Sequence, residues 1–187
     1  MNIIKNEIEA RAWVGCLGCY NSGTLRGSWV DALVADDILA INEPGGIEAT
    51  LGDVAIYGNN CPVCVHCGCD EFWVMDHEGF EGLLEGECSP AQAQAIAEQL
   101  QEMSKSGNLE AAVAFVQLGY DWDLSTFEDA YIGEFNSDVE IADYFIDNGL
   151  TGFDIPDDMI AYFDYEKYGR DLSINLHNYG GHYFWDI

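Results

Sequence analysis

Acidic side chains far outnumber basic ones in this chain, and the imbalance limits what it can fold into. Its 187 residues carry 34 carboxylates and six Lys or Arg, a formal net charge of -28. Between Gly27 and Glu166, thirty carboxylates face the single cation Lys105. Self-repulsion of this size opposes a compact state, but 49% hydrophobic and 13% aromatic residues are enough to form a packed core. We therefore expect a folded protein that carries its charge on the surface.

The negative charge limits the partners of the chain, and the lack of long apolar runs indicates its location. Bare nucleic acid and anionic membranes repel such a chain. We therefore expect basic proteins as partners, and we expect no binding to nucleic acid or to a membrane. The first twenty residues lack the apolar run of a signal peptide, and no stretch has the ~18 apolar residues of a membrane span. We expect a cytoplasmic protein.

The first part of the chain favours strands. Residues 12–17 and 25–34 predict a hairpin around a turn at Tyr20–Gly23, because β-formers flank turn-forming Asn and Gly. Residues 71–75 predict another strand, and a Cys-rich insert at residues 58–70 precedes it. The prediction is a strand-rich first domain over residues 1–88.

From Ser89 onward the pattern becomes helical. Ser89 as N-cap and Pro90 at the first helical position predict a helix that ends at Gly107, and residues 109–118 predict a second helix. These helices form a predicted middle domain, residues 89–124.

The last part mixes helices with a hairpin and forms a predicted third domain, residues 125–187. Capping-box patterns predict helices that begin at Ser125 and Ser137, the second ending near Asn148–Gly149. Gly180–Gly181 suits a two-residue hairpin turn at the end of the chain. Shorter helical pieces are predicted from Pro156 and over Asp164–Tyr168. The whole chain is predicted to be α+β.

The helix after Ser137 is expected to carry a purely anionic flank. Glu140, Asp143 and Asp147 share one face at helical spacing. The residues expected to turn inward are Val139, Ala142 and either Phe145 or Ile146. Like charges at i, i+4 cost a helix roughly 0.2 to 0.5 kcal/mol, and interspersed Lys would avoid that cost. Twenty-eight charges equal those of about 14 base pairs of DNA. This fits a nucleic-acid mimic, and the alternative is a uniformly acidic, solvated surface of the halophilic kind.

Four collinear motifs resemble the ArdA family of antirestriction proteins. The first is CYNSGTLRGSWVDA (Cys19–Ala32), and the second is MDHEGF (Met75–Phe80), in which His77 stands where the family has Tyr. The third is LSTFEDAYIGEFNSDVEIADYF (Leu124–Phe145), and the fourth is YFDYEKYGRDL (Tyr162–Leu172). The terminal Gly-Gly-His-Tyr-Phe also fits the family.

The resemblance implies an elongated, curved protein of three small domains that dimerises and mimics DNA. By occupying the DNA-binding groove of the methyltransferase and specificity complex, it would competitively inhibit type I restriction-modification enzymes. The motif aromatics Trp29, Phe80, Phe127, Tyr131 and Tyr165 are expected in the core, and Gly23, Gly27 and Gly169 at backbone turns. The carboxylates expected to stand for phosphates are Asp76, Glu78, Glu81, Glu128, Asp129, Glu134, Asp138, Glu140, Asp143, Asp147, Asp154, Asp157, Asp158 and Asp164.

The cysteines depart from the family pattern. Seven cysteines, four of them within nine residues, are a poor disulfide framework. Cys61, Cys64, Cys67 and Cys69 have the spacing of a structural zinc site, with Cys16 and Cys19 as an alternative pair and His66 as a further ligand. An iron–sulfur cluster and free thiols in a surface loop are the other interpretations. No cofactor is required for the expected function.

Enzyme motifs are lacking in the sequence. It contains no His-Glu-x-x-His, Gly-x-Ser-x-Gly, Walker or dinucleotide-binding pattern, and His77, His177 and His182 stand isolated. A thiol redox activity is disfavoured because an anionic environment raises a thiolate pKa. The remaining alternative is an acidic adaptor that binds another DNA-binding protein, a regulator or a different defence nuclease.

Overall fold

The computed structural model describes residues 8–36 and 70–187, together with the backbone of residues 54–57 and 61–64. Within it, the chain divides into two compact units, residues 1–109 and 110–187. Both units combine helices with small antiparallel sheets, which confirms the predicted α+β class. The three domains with boundaries after residues 88 and 124 stay a prediction.

The first unit is built on a three-stranded antiparallel sheet. Strand β1 (Arg11–Cys16) lies between β2 (Gly27–Asp31) and β5 (Phe72–Glu78). Strands β1 and β2 form the predicted hairpin, with Trp13 opposite Trp29. The connection is a short helix, α1 (Leu17–Asn21), where only a turn was predicted, and β2 gives way to a 3₁₀ turn over Ala32–Val34.

A second hairpin, which was not predicted, overlaps the start of the predicted Cys-rich insert. Strands β3 (Val54–Tyr57) and β4 (Cys61–Cys64) pair antiparallel, with Val54 opposite Cys64. The remainder of the predicted Cys-rich insert, residues 58–60 and 65–69, lies outside the described residues.

Helix α2 (Pro90–Ser106) follows the sheet, as the sequence predicts. The Ser89 hydroxyl accepts a hydrogen bond from Gln92 N, Pro90 occupies the first turn, and Gly107 ends the helix at φ 81°. Its buried residues, among them Ala93, Ala97 and Leu100, are small or aliphatic, so the helix can lie close to the sheet. Helix and sheet together form the core of the first unit.

The second unit combines four helices with a sheet in the order β6-β8-β7. Its strands are β6 (Tyr131–Glu134), β7 (His177–Tyr179) and β8 (His182–Phe184), and the last two form the hairpin predicted around Gly180–Gly181. Its helices are α3 (Leu109–Gln117), α4 (Leu124–Ala130), α5 (Asp138–Asp147) and α6 (Tyr165–Ser173). A 3₁₀ turn over Ile160–Tyr162 precedes α6, which runs five residues beyond the predicted end at Tyr168.

The two predicted capping boxes have different outcomes. At Ser137 the cap is confirmed, because its hydroxyl accepts from Glu140 N at 3.3 Å. The return bond differs by one residue from a capping box, because Glu140 Oε2 accepts from Asn136 N, before the cap, at 2.7 Å. At Ser125 the prediction is wrong, because Asp123 is the N-cap of α4. Its carboxylate accepts hydrogen bonds from both the backbone N–H and the hydroxyl of Thr126, so the helix already includes Ser125.

Aromatic rings fill the core of the second unit. Phe115 is fully buried, stacks on Tyr120 at 4.9 Å between ring centroids, and contacts Phe127 and Phe184. A neighbouring cluster joins α5 to the sheet; its buried members are Ile132, Ile141, Phe145 and Leu176. Of the motif aromatics, Phe80 and Phe127 are buried, whereas Trp29, Tyr131 and Tyr165 are only partly so.

Two of the three motif glycines serve close packing and not turns, which corrects the prediction. Gly23 does lie in a turn, at φ 82°. A Cβ on Gly27 would collide with the Val14 carbonyl oxygen on β1, and a Cβ on Gly169 would collide with the Asp138 carbonyl group on α5. Gly169 therefore lets α6 lie directly against the first turn of α5.

Candidate acidic interaction surface

Exposure is the first requirement for carboxylates that would meet a partner. Thirteen of the fourteen predicted positions are exposed, and Asp138 is partly buried. The described residues include further exposed carboxylates that the prediction missed, in particular Glu85, Glu87, Asp121, Glu166 and Asp171. Glu166 and Asp171 lie within the fourth family motif, which could have indicated them, whereas only the general acidity of the chain pointed to Glu85, Glu87 and Asp121.

A β-bulge directs the carboxylates of β5 toward solvent. Trp13 pairs with Asp76 but the next residue, Val14, pairs with Val74, so Met75 is an extra residue in β5. Phe72 and Val74 are buried, and regular alternation would place Asp76 and Glu78 on the same inward face. The extra residue reverses that alternation, and both carboxylates are exposed.

The turn after β5 presents a third carboxylate of this group on a constrained backbone. Glu81 has φ 53°, a left-handed conformation that costs a residue with a side chain roughly 1–2 kcal/mol. Buried Phe80, Leu83 and Leu84 anchor the turn on both sides of it, and Leu83 N donates to the Phe80 carbonyl at 2.9 Å. Glu85 and Glu87 extend the same exposed segment.

Helix α4 and strand β6 carry the next group. Glu128 and Asp129 are exposed between buried Phe127 and Ala130. Glu134 lies at the end of β6, and its charge adds to burial in raising the pKa of Tyr131. These anionic groups therefore lie beside the stacked rings of Phe127 and Tyr131.

Helix α5 has the clearest division into two faces. Ile141, Ala142 and Phe145 are buried, and the anionic flank of the helix, Glu140, Asp143 and Asp147, is exposed. Val139 was expected to turn inward, but it is 40% exposed and Ile141 takes the inward position instead. The reason is that the buried face of α5 begins at Ile141, one turn after the N-cap, where the helix first meets the sheet.

The connection from α5 to α6 adds the last group. Asp154, Asp157 and Asp158 are exposed in the loop, and Asp164 caps α6 by accepting from Lys167 N at 3.0 Å. Met159 N donates to the Pro156 carbonyl, so Pro156 begins a turn that leads into the 3₁₀ segment rather than a helix of its own.

Most of these carboxylates have no internal partner. Glu78 pairs with Arg11 at 3.3 Å, and the Arg11 guanidinium also lies over the Trp29 ring at 5.6 Å. None of the other thirteen predicted carboxylates forms an ion pair with any residue that the structure describes. Their charge is available to a cationic partner.

The predicted metal ligands are only partly within the described residues. Cys61 and Cys64 are described as backbone in β4, and His66, Cys67 and Cys69 lie outside the description. Cys16 and Cys19 are buried thiols, and Cys19 N donates to Cys16 Sγ at 3.4 Å. Among the side chains that are described, no three potential ligands come together. The structural zinc stays a prediction, to be tested by elemental analysis with thiol titration.

The histidines are less isolated than the sequence suggested. The Tyr120 hydroxyl and His177 Nδ1 are 2.7 Å apart, and Asp186 lies 3.5 Å from His177 Nε2. His182 is buried and contacts the Tyr131 hydroxyl, and His77 packs edge-on against Phe80. These contacts join strands and loops of the core.

No helix within the described ranges is long and apolar enough to cross a membrane.

Comparison with known proteins gives the family of the chain. The family model described as antirestriction protein (ArdA) matches residues 12–184, which is most of the chain. The matched range contains both units of the fold and all fourteen predicted carboxylates. No curated protein matched the chain.

Proposed function

The chain belongs to the ArdA family of antirestriction proteins, and from this premise we propose that it is a DNA mimic. Membership implies an antirestriction function, non-catalytic in this family, and an interaction with restriction enzymes. In our proposal the carboxylates occupy the DNA-binding groove of a type I restriction-modification enzyme and exclude DNA by reversible competition. The protein acts in the cytoplasm as a homodimer.

The observation that carries the proposal is the set of exposed carboxylates without internal cations. A surface that served only solubility would intersperse Lys and Arg, as most soluble proteins do. Here Lys167 and Arg170 are the only Lys or Arg in residues 110–187, against seventeen carboxylates. A DNA-binding groove offers the complementary arrangement, because it is lined with Lys and Arg that bind phosphates.

The spacing on α5 supports the same conclusion. Its ten residues extend ~15 Å and carry four carboxylates, one per ~4 Å. One strand of B-DNA carries one charge per ~3.4 Å of axis. The charge density of the helix is therefore close to that of a single phosphate backbone.

The mechanism follows from charge and requires no chemical step. Carboxylates that meet Lys or Arg form charge-assisted hydrogen bonds. Complementary potentials accelerate the encounter, and salt weakens it. Because many exposed pairs share the energy, each is expected to contribute only ~0.2–1 kcal/mol.

A competition experiment tests the proposal. The purified chain is titrated into a type I restriction-modification complex bound to labelled DNA, at several salt concentrations. Displacement of DNA that weakens as salt rises is expected. No displacement at any low-salt condition would refute the type I target. Displacement from another DNA-binding protein in the same assay would instead support the adaptor alternative.

Paired variants on α5 connect the assay to the carboxylates. D143N/D147N should weaken competition about two- to thirtyfold at low salt, the range for two lost ion pairs. D143E/D147E keeps the charge and should compete like the parent. Removing like charges at i, i+4 also relieves repulsion, so D143N/D147N should be slightly more stable. Weaker competition by this variant would therefore not reflect unfolding.

A further inference from the structure

A pocket of about 450 Å³ opens where the first turn of α5 meets α6 and strand β8. Phe135 and Tyr183 form an aromatic wall, with ring centroids 5.7 Å apart. Asp138 and Glu166 contribute carboxylates, and Val139 lies at the edge with 40% of its surface exposed. Apolar faces and anionic groups thus line one cavity.

Backbone packing holds the two carboxylates in this arrangement. Gly169 lies against the Asp138 carbonyl group, and a side chain there would force α6 away from α5. Glu166 lies three residues before Gly169, one helical turn away on the same side of α6. The N-cap at Ser137 fixes the start of α5, which places Asp138 in its first turn. The pocket is therefore preformed.

No cationic side chain that the structure describes compensates the charges in the pocket. The lining contains no Lys, Arg or His among the described residues. Neither Asp138 nor Glu166 forms an ion pair with a residue that the structure describes, and the charge of Asp138 adds to burial in raising the pKa of Tyr183. The helix N-termini offset part of the repulsion between the two carboxylates. An anion would add to that repulsion, whereas a cation would relieve it.

We propose that this pocket binds the guanidinium group of an arginine from the partner protein. The planar, weakly hydrated guanidinium stacks on aromatic faces and bridges carboxylates with its fork of N–H donors. The compact, strongly hydrated ammonium of lysine does neither as well. The inference rests on the proposed function, because it assigns one arginine of the DNA-binding groove to a defined position among the phosphate-mimicking carboxylates.

Titration of the intact chain with arginine amide, followed by NMR, tests the pocket without the partner. The signals of Val139 and Tyr183 should shift saturably with arginine amide and more weakly with lysine amide. Citrulline amide has nearly the same shape but a neutral urea in place of the guanidinium, and should leave them unchanged. Equal shifts with citrulline amide, or shifts spread over all carboxylates without saturation at these two residues, would overturn the proposal.

A pair of matched variants locates the binding. E166Q should weaken arginine amide binding about three- to tenfold, the range expected when one ordinary hydrogen bond is lost at an exposed position. E110Q removes an exposed carboxylate from α3, outside the pocket and outside the phosphate-mimicking set, and should change binding less than about twofold. Both positions are exposed, so both variants should fold. An unchanged affinity in E166Q would contradict the assignment.

The two proposals fail separately. If arginine amide saturates the pocket but the chain displaces no DNA from the restriction enzyme, the pocket assignment stands and the proposed function is wrong. If the chain displaces DNA but arginine amide causes no saturable shift at Val139 and Tyr183, the pocket assignment is wrong and the proposed function stands.

Discussion

Replacing Gly169 with alanine tests the contact that joins α5 to α6, because two opposing effects predict opposite changes in the free energy of unfolding. In the interior of a helix, alanine is more favourable than glycine by ~1 kcal/mol. At this position, however, the added Cβ would collide with the Asp138 carbonyl group, a backbone obstacle that cannot rotate away. Overpacking costs ~1–3 kcal/mol, and a rigid obstacle places the cost near the upper end. The net expectation is a loss of ~2 kcal/mol.

Urea unfolding followed by circular dichroism measures this difference. With a slope of ~2 kcal/mol per molar urea, G169A should unfold at a midpoint lower by ~1 M. The control K167A removes an exposed side chain from the same helix and should stay within ~0.5 kcal/mol of the parent. A midpoint for G169A at or above that of the parent would refute the close contact, since the higher helix propensity of alanine would then account for the change in stability. G169A should also lose arginine amide binding, because α6 carries Glu166 away from Asp138.

Three further predictions concern a cap, the tyrosines and a thiol. S137A removes the hydroxyl that caps α5 and should lower the unfolding free energy by ~1 kcal/mol, measured by the same urea titration. Burial, with a smaller effect of nearby carboxylates, raises the pKa of Tyr120, Tyr131 and Tyr183, so absorbance near 295 nm should show these phenols ionising above the usual pH of ~10. The stability linked to these phenols is complete below ~pH 10 and is lost as pH rises through their raised pKa values; ionisation at ordinary pH would contradict their burial. Burial likewise raises the pKa of Cys88, so peptide mapping should find it alkylated only as fast as the first unit unfolds.

The sequence predicts elements well where the signal is local. The caps at Ser89 and Ser137 and the hairpin at Gly180–Gly181 each depend on a few neighbouring residues, and all three are confirmed. Asp123, and not Ser125, is the N-cap of α4, because the Asp123 carboxylate accepts hydrogen bonds from two donors of Thr126. The error moved the helix start without changing the fold.

Features that depend on contacts distant in sequence were not predictable. The collision that makes Gly169 necessary involves Asp138, thirty-one positions earlier, and a helix propensity scale marks this glycine only as unfavourable. The exposure of Val139 depends on where α5 first meets the sheet. The pocket was missed for the same reason, since Glu166 and Asp138 become neighbours only through helix packing.

The additional residue at Met75 makes β5 tolerant of a lost residue at this point but not of a gained one. Deleting Met75 would remove the bulge, and Asp76 would then follow buried Val74 directly and stay opposite Trp13, on the outward face. One residue inserted between Asp76 and His77 would instead turn Glu78 toward the buried face and away from Arg11, which would be strongly destabilising. Functional variants of this protein should therefore tolerate exchange or loss at position 75 and reject a frame-preserving insertion after Asp76.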